Sequence, residues 1–66
     1  MGRYGSKIEE LMIRHYRNLS EKDQRHYAAI EAARLNHGGI TYIADLFGCS
    51  GQTVSTGLEE LKKTMS

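Results

Sequence analysis

The sequence predicts a compact, all-α domain made of four helices. Its 66 residues include no proline and no tryptophan, and 39% of them are hydrophobic, which fits one small helical domain. Serine and glycine residues stand where helices can start and stop, and apolar residues recur between them at helical spacing. We expect residues 7–66 to form this single domain, and residues 1–6 to be a flexible lead-in with no part in the fold.

The first helix is predicted from residue 7 to residue 18 or 19. Ser6, followed three residues later by Glu9, has the pattern of a capping box, in which the hydroxyl and the carboxylate satisfy free backbone N–H groups. An apolar stripe at helical spacing should face the core, with Ile13 outside it. The stripe contains Ile8, Leu11, Met12, His15, Tyr16 and Leu19.

The second helix is predicted to begin after Ser20 and to end at about Leu35. Ser20 can accept a hydrogen bond from the N–H group of Asp23, and the acidic residues of S-E-K-D suit the positive end of the helix dipole. Residues 36–39, N-H-G-G, supply the flexible and left-handed positions that stop a helix. Its small residues, which permit close approach by a neighbour, are Ala28, Ala29, Ala32 and Ala33.

A third helix at about 40–47 and a fourth at about 51–63 follow. Gly48 should end the third helix, because glycine tolerates the positive φ of a sharp turn. Ser50 can cap the fourth helix, whose last turn carries Lys62 and Lys63 at the negative end of the dipole. The predicted buried face of this helix consists of Val54, Leu58, Leu61 and Met65.

The corner between these two helices has the spacing of a helix-turn-helix. Such a module needs a small residue in its first helix, a turn that admits left-handed backbone, and an apolar residue early in its second helix. Ala44, Gly48 and Val54 occupy these positions, which makes 51–63 a recognition helix. The alternative interpretation is a tight helical corner that never contacts DNA. The surrounding core is expected to contain Ile43, Phe47, Cys49 and Leu58.

Polar residues near the start of the fourth helix are predicted to face outward. In a major groove, Gln can pair bidentately with adenine, and Ser or Thr can bond several bases. Thr41 and Tyr42, beside the first amides of the third helix, are candidates for phosphate contacts, and Arg34, Lys62 and Lys63 are further candidate DNA-binding residues. The candidates for base contacts are Ser50, Gly51, Gln52, Ser55 and Thr56.

The net charge is low for a DNA-binding domain. The chain sums to +1, whereas phosphate contacts usually require a clear positive excess. Residues 40–66 hold two lysines against three acidic residues, so the candidate contact region is slightly acidic. Glu31 is expected to form a structural ion pair, either with Arg34 one turn further along the second helix or with a neighbouring helix. The remaining basic residues fit a phosphate contact and a solvated helix face equally well: Arg14, Arg17, Lys22 and Arg25.

A series of short motifs follows across residues 19–61: L-S-E-K-D, A-A-I-E-A, G-G-I, I-A, G-C-S, T-V and G-L-E-E-L. In this order and spacing they resemble the N-terminal segment of ISAzo-type DDE transposases from bacterial insertion sequences, over about two-thirds of the chain. The resemblance implies a helical DNA-binding domain that recognises the terminal inverted repeats of the element. In that family it precedes a metal-dependent catalytic domain with an acidic triad.

This chain departs from the pattern of that family in two respects. We expect this chain to lack the catalytic domain and therefore not to cut DNA, so none of its acidic residues is assigned to the triad. The family places basic residues near the tip of its last helix, whereas the corresponding residues here are neutral: Gly51, Gln52, Ser55 and Thr56.

No group of residues predicts catalysis, a metal site or a cofactor. His15, His26 and His37 lie on different segments, without the nearby His or Cys partners that zinc sites need. Cys49 is expected to be a small buried side chain at the inner corner of the turn. We therefore expect neither an enzyme nor a small-molecule substrate.

The expected location is the cytoplasm. The single cysteine excludes an internal disulfide, no apolar run approaches the roughly 20 residues of a membrane helix, and no signal peptide is recognisable after Met1.

Double-stranded DNA is the predicted partner, with self-association into a homodimer left open. The alternative function is a small helical module for protein interaction or self-association. The low charge favours this alternative, together with predicted exposure of Tyr4 and Ile13 and of Phe47 or Tyr42.

Overall fold

Four helices make up the computed structural model, which describes residues 4–35 and 38–65. They are α1 (Ser6–Arg17), α2 (Glu21–Leu35), α3 (Gly39–Phe47) and α4 (Gly51–Met65). No strand occurs in these residues, so the predicted all-α class with four helices is confirmed. α3 begins one residue before its predicted start, and α4 continues two residues beyond its predicted end.

The second helix is the centre of the domain. Within the described residues, α2 packs against each of the other three helices, while no Cα atom of α1 lies within 8 Å of one in α4. Ala28 and Ala29 are completely buried and Ala32 is nearly so, which confirms the predicted small face; Ala33 is exposed instead. The buried cluster contains Met12, Ala28, Ala32, Ile43, Ala44 and Val54.

α4 lies against α2 with almost no space between the two backbones. A Cβ atom built on Gly57 of α4 would stand 2.4 Å from the carbonyl oxygen of Arg25 on α2 and 3.1 Å from the Cβ of Ala29. Only glycine fits this position without displacing one helix. The mid-helix glycine therefore fixes how closely α4 approaches the centre of the domain.

The serine caps predicted for α2 and α4 are confirmed. Ser20 Oγ accepts a hydrogen bond from the N–H group of Asp23 at 3.3 Å, and Ser50 Oγ accepts one from the N–H group of Thr53 at 3.2 Å. Each bond satisfies a backbone donor that the first helical turn leaves free. α2 ends at Leu35 as predicted, and the proposed stop residues Asn36 and His37 lie outside the described part of the chain.

The capping box predicted for α1 is wrong. The helix begins one residue earlier than expected, with Gly5 in extended conformation as its N-cap and with no side-chain capping bond. Ser6 is already the first helical residue, so its hydroxyl is not at the capping position. The carboxylate of Glu9 instead accepts a hydrogen bond from the hydroxyl of Tyr42 on α3.

The predicted inward stripe of α1 is also wrong at three positions. Ile8 and Leu11 are 48% and 56% exposed and His15 is exposed as well, whereas Ile13, predicted to lie outside the stripe, is half-buried. The ring of Tyr16 stacks on that of Phe47, with centroids 4.3 Å apart. This aromatic stack, together with the bond to Glu9, turns a neighbouring face of α1 toward α3.

The chain just before α1 takes part in the fold. The Tyr4 hydroxyl donates a 2.9 Å hydrogen bond to Glu31 on α2, and its ring lies 6.2 Å from that of Tyr42 on α3. The expectation that residues 1–6 have no part in the fold is therefore wrong at Tyr4 and Ser6. Met1 to Arg3 lie outside the described residues.

Candidate nucleic-acid interface

The corner between α3 and α4 consists of Gly48, Cys49 and Ser50. Gly48 has a left-handed backbone with φ of 70°, and the N–H group of Cys49 donates to the carbonyl of Ala44 at 3.0 Å. No atom lies within 4 Å of a Cβ built on Gly48, so the backbone conformation alone requires glycine there. The two helices are thus joined by a three-residue turn.

Apolar side chains hold this corner against α2. Ile43, Ala44 and Val54 are buried as predicted, and Ile43 and Val54 are the two largest side chains that are completely enclosed. Phe47 and Cys49 pack on this core but are only half-buried. The expected burial of Cys49 is therefore incomplete, because the turn that contains it lies at the surface.

The predicted base-contacting residues surround the first turns of α4, and we call them the α4 tip: Ser50, Gly51, Gln52, Ser55 and Thr56. Ser50 and Gln52 are exposed, and the other three are half-buried. The Gln52 amide donates to the Thr56 hydroxyl at 3.5 Å, a long bond that a stronger partner can replace. A polar, uncharged surface thus lies at the start of α4.

The first turn of α3 adjoins this tip. A Cβ on Gly51 would lie 3.5 Å from Cγ2 of Ile40, so the beginnings of the two helices are neighbours. Thr41 is exposed there. Tyr42 is half-buried, and its hydroxyl donates to Glu9. A phosphate contact by Tyr42 would compete with that carboxylate, so Thr41 is the more accessible of the two candidates.

The basic candidates belong to a different surface. Lys62 is eleven residues after Gly51 along α4, which at 1.5 Å per residue separates their backbones by roughly 16 Å. Arg34 pairs with Glu31 at 3.3 Å, as predicted, and Lys62 lies 3.9 Å from Glu59. Arg34 and Lys62 line the same groove between α2 and α4. Lys63 is exposed on the last turns of α4.

We call this second surface the α2–α4 groove. It is open, has a volume of about 370 Å³, and has Arg34 and Lys62 among its lining residues. Leu58 and Leu61, predicted to be buried, are only half-buried because they form one wall of it; the side chain of Met65 lies outside the described residues. Its apolar lining comes from Ala29, Ile30, Ala33, Leu58 and Leu61.

An ionic cluster that sequence spacing does not reveal joins the first half of α2 to the second half of α4. Arg25 donates two hydrogen bonds of 3.2 Å to Glu60, and Nε2 of His26 lies 3.0 Å from the same carboxylate. The Arg25 bonds, followed by the His26 contact, hold the pKa of Glu60 below its ordinary value of 4.5. The partners are over thirty residues apart, so no local pattern predicts their contact.

The histidines do not come together at a metal-binding arrangement in the described residues. The ring of His15 meets the ring of Tyr27 edge-on at 5.0 Å, and His26 contacts Glu60. His37 lies outside the described part of the chain. Among residues 4–35 and 38–65, no group of three or more His, Cys, Asp or Glu side chains is placed to hold a metal ion.

The aromatic and apolar residues proposed for an exposed interaction patch are half-buried instead. Tyr4 and Tyr42 contact each other, and Phe47 lies between the rings of Tyr16 and Tyr27 at centroid distances of 4.3 and 5.6 Å. Among the side chains that the structure describes, the large apolar ones that are exposed are Ile8, Leu11 and Ile30.

None of the described helices combines the length and the apolar character needed to cross a membrane. Comparison with protein-family models, with curated proteins and with solved structures finds no match to this chain.

Proposed function

We propose that this chain is a sequence-specific double-stranded DNA-binding domain in which α3 and α4 act as a helix-turn-helix. The observation that carries the proposal is the α4 tip, an uncharged polar surface at the start of a helix, where Ser50 and Gln52 are exposed. A major groove is about 12 Å wide and admits one α-helix end-on or along its axis. Entry of α4 would bring Gln52 to the base edges.

The surroundings of the tip support this orientation. Ile43, Ala44 and Val54 anchor the corner, so the tip is carried on a packed support. Thr41 lies on the adjoining first turn of α3, where its hydroxyl would donate to a phosphate flanking the groove. The resemblance of residues 19–61 to transposase N-terminal segments favours terminal inverted repeats as the target.

Selection of binding sites from a pool of random duplexes tests the proposal, because the pool contains the target whatever its sequence. For the selected site, Gln52→Ala should weaken binding by about 1–3 kcal/mol, because one bidentate base contact is lost. Binding to unrelated duplexes should hardly change, since Gln52 carries no charge. Fluorescence anisotropy of labelled duplexes measures both affinities.

Ser6→Ala provides a matched control, because Ser6 is also an exposed, neutral polar residue but belongs to α1. It should leave both affinities unchanged. Failure of the selection to enrich any sequence would contradict the proposal. So would an equal loss on selected and unrelated duplexes with Gln52→Ala, or amide chemical-shift changes on DNA titration that avoid residues 50–56.

A further inference from the structure

The α2–α4 groove has the features of a contact surface, and the proposed binding of DNA at the α4 tip gives this groove no role. Its lining is mostly apolar, and Ile30 on its α2 side is 48% exposed although it is a large aliphatic residue. The groove lies near the end of α4, roughly 16 Å along the helix from the tip. DNA bound at the tip would therefore leave this surface free.

We propose that the groove binds a second copy of this chain, in a dimer with twofold symmetry. In a symmetric dimer the same patch serves both partners, so it must offer a projection as well as a hollow. The groove does so, because Ile30 projects beside the hollow lined by Leu58 and Leu61. Ile30 of each copy fills the groove of the other.

Charges of both signs lie at the groove, since Arg34 and Lys62 line it and Glu59 stands one turn before Lys62 on α4, so a second copy can oppose unlike charges. Glu59 and Lys62 lie one turn apart on α4, are 68% and 74% exposed, and stand 3.9 Å from each other. This long, exposed pair is weak and loses little when its members change partners. An antiparallel arrangement of the two α4 helices places each Lys62 opposite Glu59 of the other copy. A parallel arrangement would oppose like charges, so we infer the antiparallel one.

Sedimentation equilibrium in the absence of DNA, from micromolar to millimolar protein, tests this dimer. The wild-type chain should show a reversible monomer–dimer equilibrium. Ile30→Glu should weaken dimerisation by more than about tenfold, because a charge would enter an apolar hollow. Ile8→Glu is the matched control: Ile8 is equally exposed, at 48%, but lies on α1, so its substitution should leave the dimer unchanged. Circular dichroism verifies that both variants keep their helices.

Charge reversal tests the antiparallel arrangement. Glu59→Lys alone and Lys62→Glu alone should each weaken the dimer, and the combined variant should recover it, since opposite charges again face each other. The proposal is overturned by a wild-type chain that stays monomeric at millimolar concentration, by assembly beyond the dimer, or by an equal loss with Ile8→Glu. Absence of recovery in the double variant overturns the antiparallel dimer. Because no DNA is present, these outcomes leave the DNA-binding proposal unaffected.

Discussion

At the scale of single residues, Tyr4 shows how one side chain ties the beginning of the chain to the core. Its hydroxyl donates to Glu31, whose side chain is only 10% exposed and which also pairs with Arg34. Burial, reinforced by the bond to Glu31, raises the pKa of the Tyr4 hydroxyl above its ordinary value of 10.0. The largely buried carboxylate of Glu31 thus accepts hydrogen bonds from two side chains, those of Tyr4 and Arg34.

Tyr4→Phe should therefore lower the free energy of unfolding by about 1–2 kcal/mol, because a charged, largely buried acceptor loses one of its donors. Chemical denaturation followed by circular dichroism measures the change. A double-mutant cycle with Glu31→Gln should give a coupling energy of about 1 kcal/mol. Strictly additive effects of the two substitutions would show that the negative charge of the acceptor does not strengthen this hydrogen bond.

Glu60 makes a second residue-scale contribution, and this one depends on pH. Its pKa is lowered in the folded chain, mainly by the hydrogen bonds from Arg25. The unfolded chain consequently takes up this proton first as the pH falls. The stabilisation is complete above about the ordinary glutamate value of 4.5 and is lost as the pH falls through the lower, folded-state pKa.

We expect the difference in unfolding free energy between the wild type and Glu60→Gln to shrink as the solution becomes more acidic than that range. Denaturation at a series of pH values provides the measurement. Added salt should reduce the difference, because the carboxylate is partly exposed and its interactions are screened. Glu59→Gln, which removes an exposed carboxylate without the Arg25 bonds, is the control and should show a much smaller pH dependence. Parallel curves for the wild type and Glu60→Gln would contradict the assignment.

At the scale of the helices, Gly57 decides how α4 meets α2. Alanine normally stabilises a helix interior by about 1 kcal/mol relative to glycine. Gly57→Ala should do the reverse and cost roughly 1–3 kcal/mol, since the new Cβ would lie 2.4 Å from a backbone carbonyl of α2. Thermal or chemical denaturation shows directly whether the substitution raises or lowers the free energy of unfolding.

Gly51→Ala is the matched control on the same helix. A Cβ there would make an ordinary 3.5 Å contact with Ile40, and the position stands in the first helical turn, so the free energy of unfolding should stay within about 0.5 kcal/mol of wild type. An increase in stability with Gly57→Ala would show that the two helices are not in such close contact.

The helix caps and the buried face of α1 show which features of the fold can be predicted from the sequence and which cannot. Ser20 and Ser50 are predictable as caps because a cap is a local pattern of side chain and backbone. Ser6 has the same local pattern but does not cap, since α1 begins one residue earlier. The face that α1 buries depends on Tyr42 and Phe47, which are distant in sequence, so periodicity alone places Ile8 and Leu11 inward when they are in fact exposed.

In the candidate site, too, some features follow from local sequence patterns and others depend on how distant helices pack. The outward position of Gln52 at the start of α4 follows from local spacing around Gly48 and Val54, and the structure places it at the surface. The location of Arg34 and Lys62 at a separate groove depends on how α2 and α4 cross. That crossing is set by Gly57 and Ala29, whose contact no local pattern specifies.

At the scale of the whole molecule, the tip proposed to enter the DNA groove and the candidate cations lie on different surfaces. The chain carries a net charge of only +1, its α4 tip is uncharged, and the candidate cations Arg34 and Lys62 line a groove some turns away. Each phosphate contact by a cation contributes about −0.9 to the slope of log affinity against log salt concentration. Under the proposed function, the plot of log affinity for DNA against log salt concentration should therefore have a shallow slope, less steep than about −3.

Adding one cation beside the tip provides a sensitive test of this orientation. Thr41→Lys should strengthen binding to any duplex and steepen the slope by about 0.9, because the exposed Thr41 adjoins the tip, where a lysine would reach one phosphate. Ala33→Lys adds the same charge at an exposed position of the α2–α4 groove, which lies near the other end of α4, and should change the slope much less. Anisotropy titrations over a series of salt concentrations measure both slopes. Equal steepening by the two variants would mean that the added charge acts through the net field of the molecule, and the DNA would then not be positioned at the start of α4.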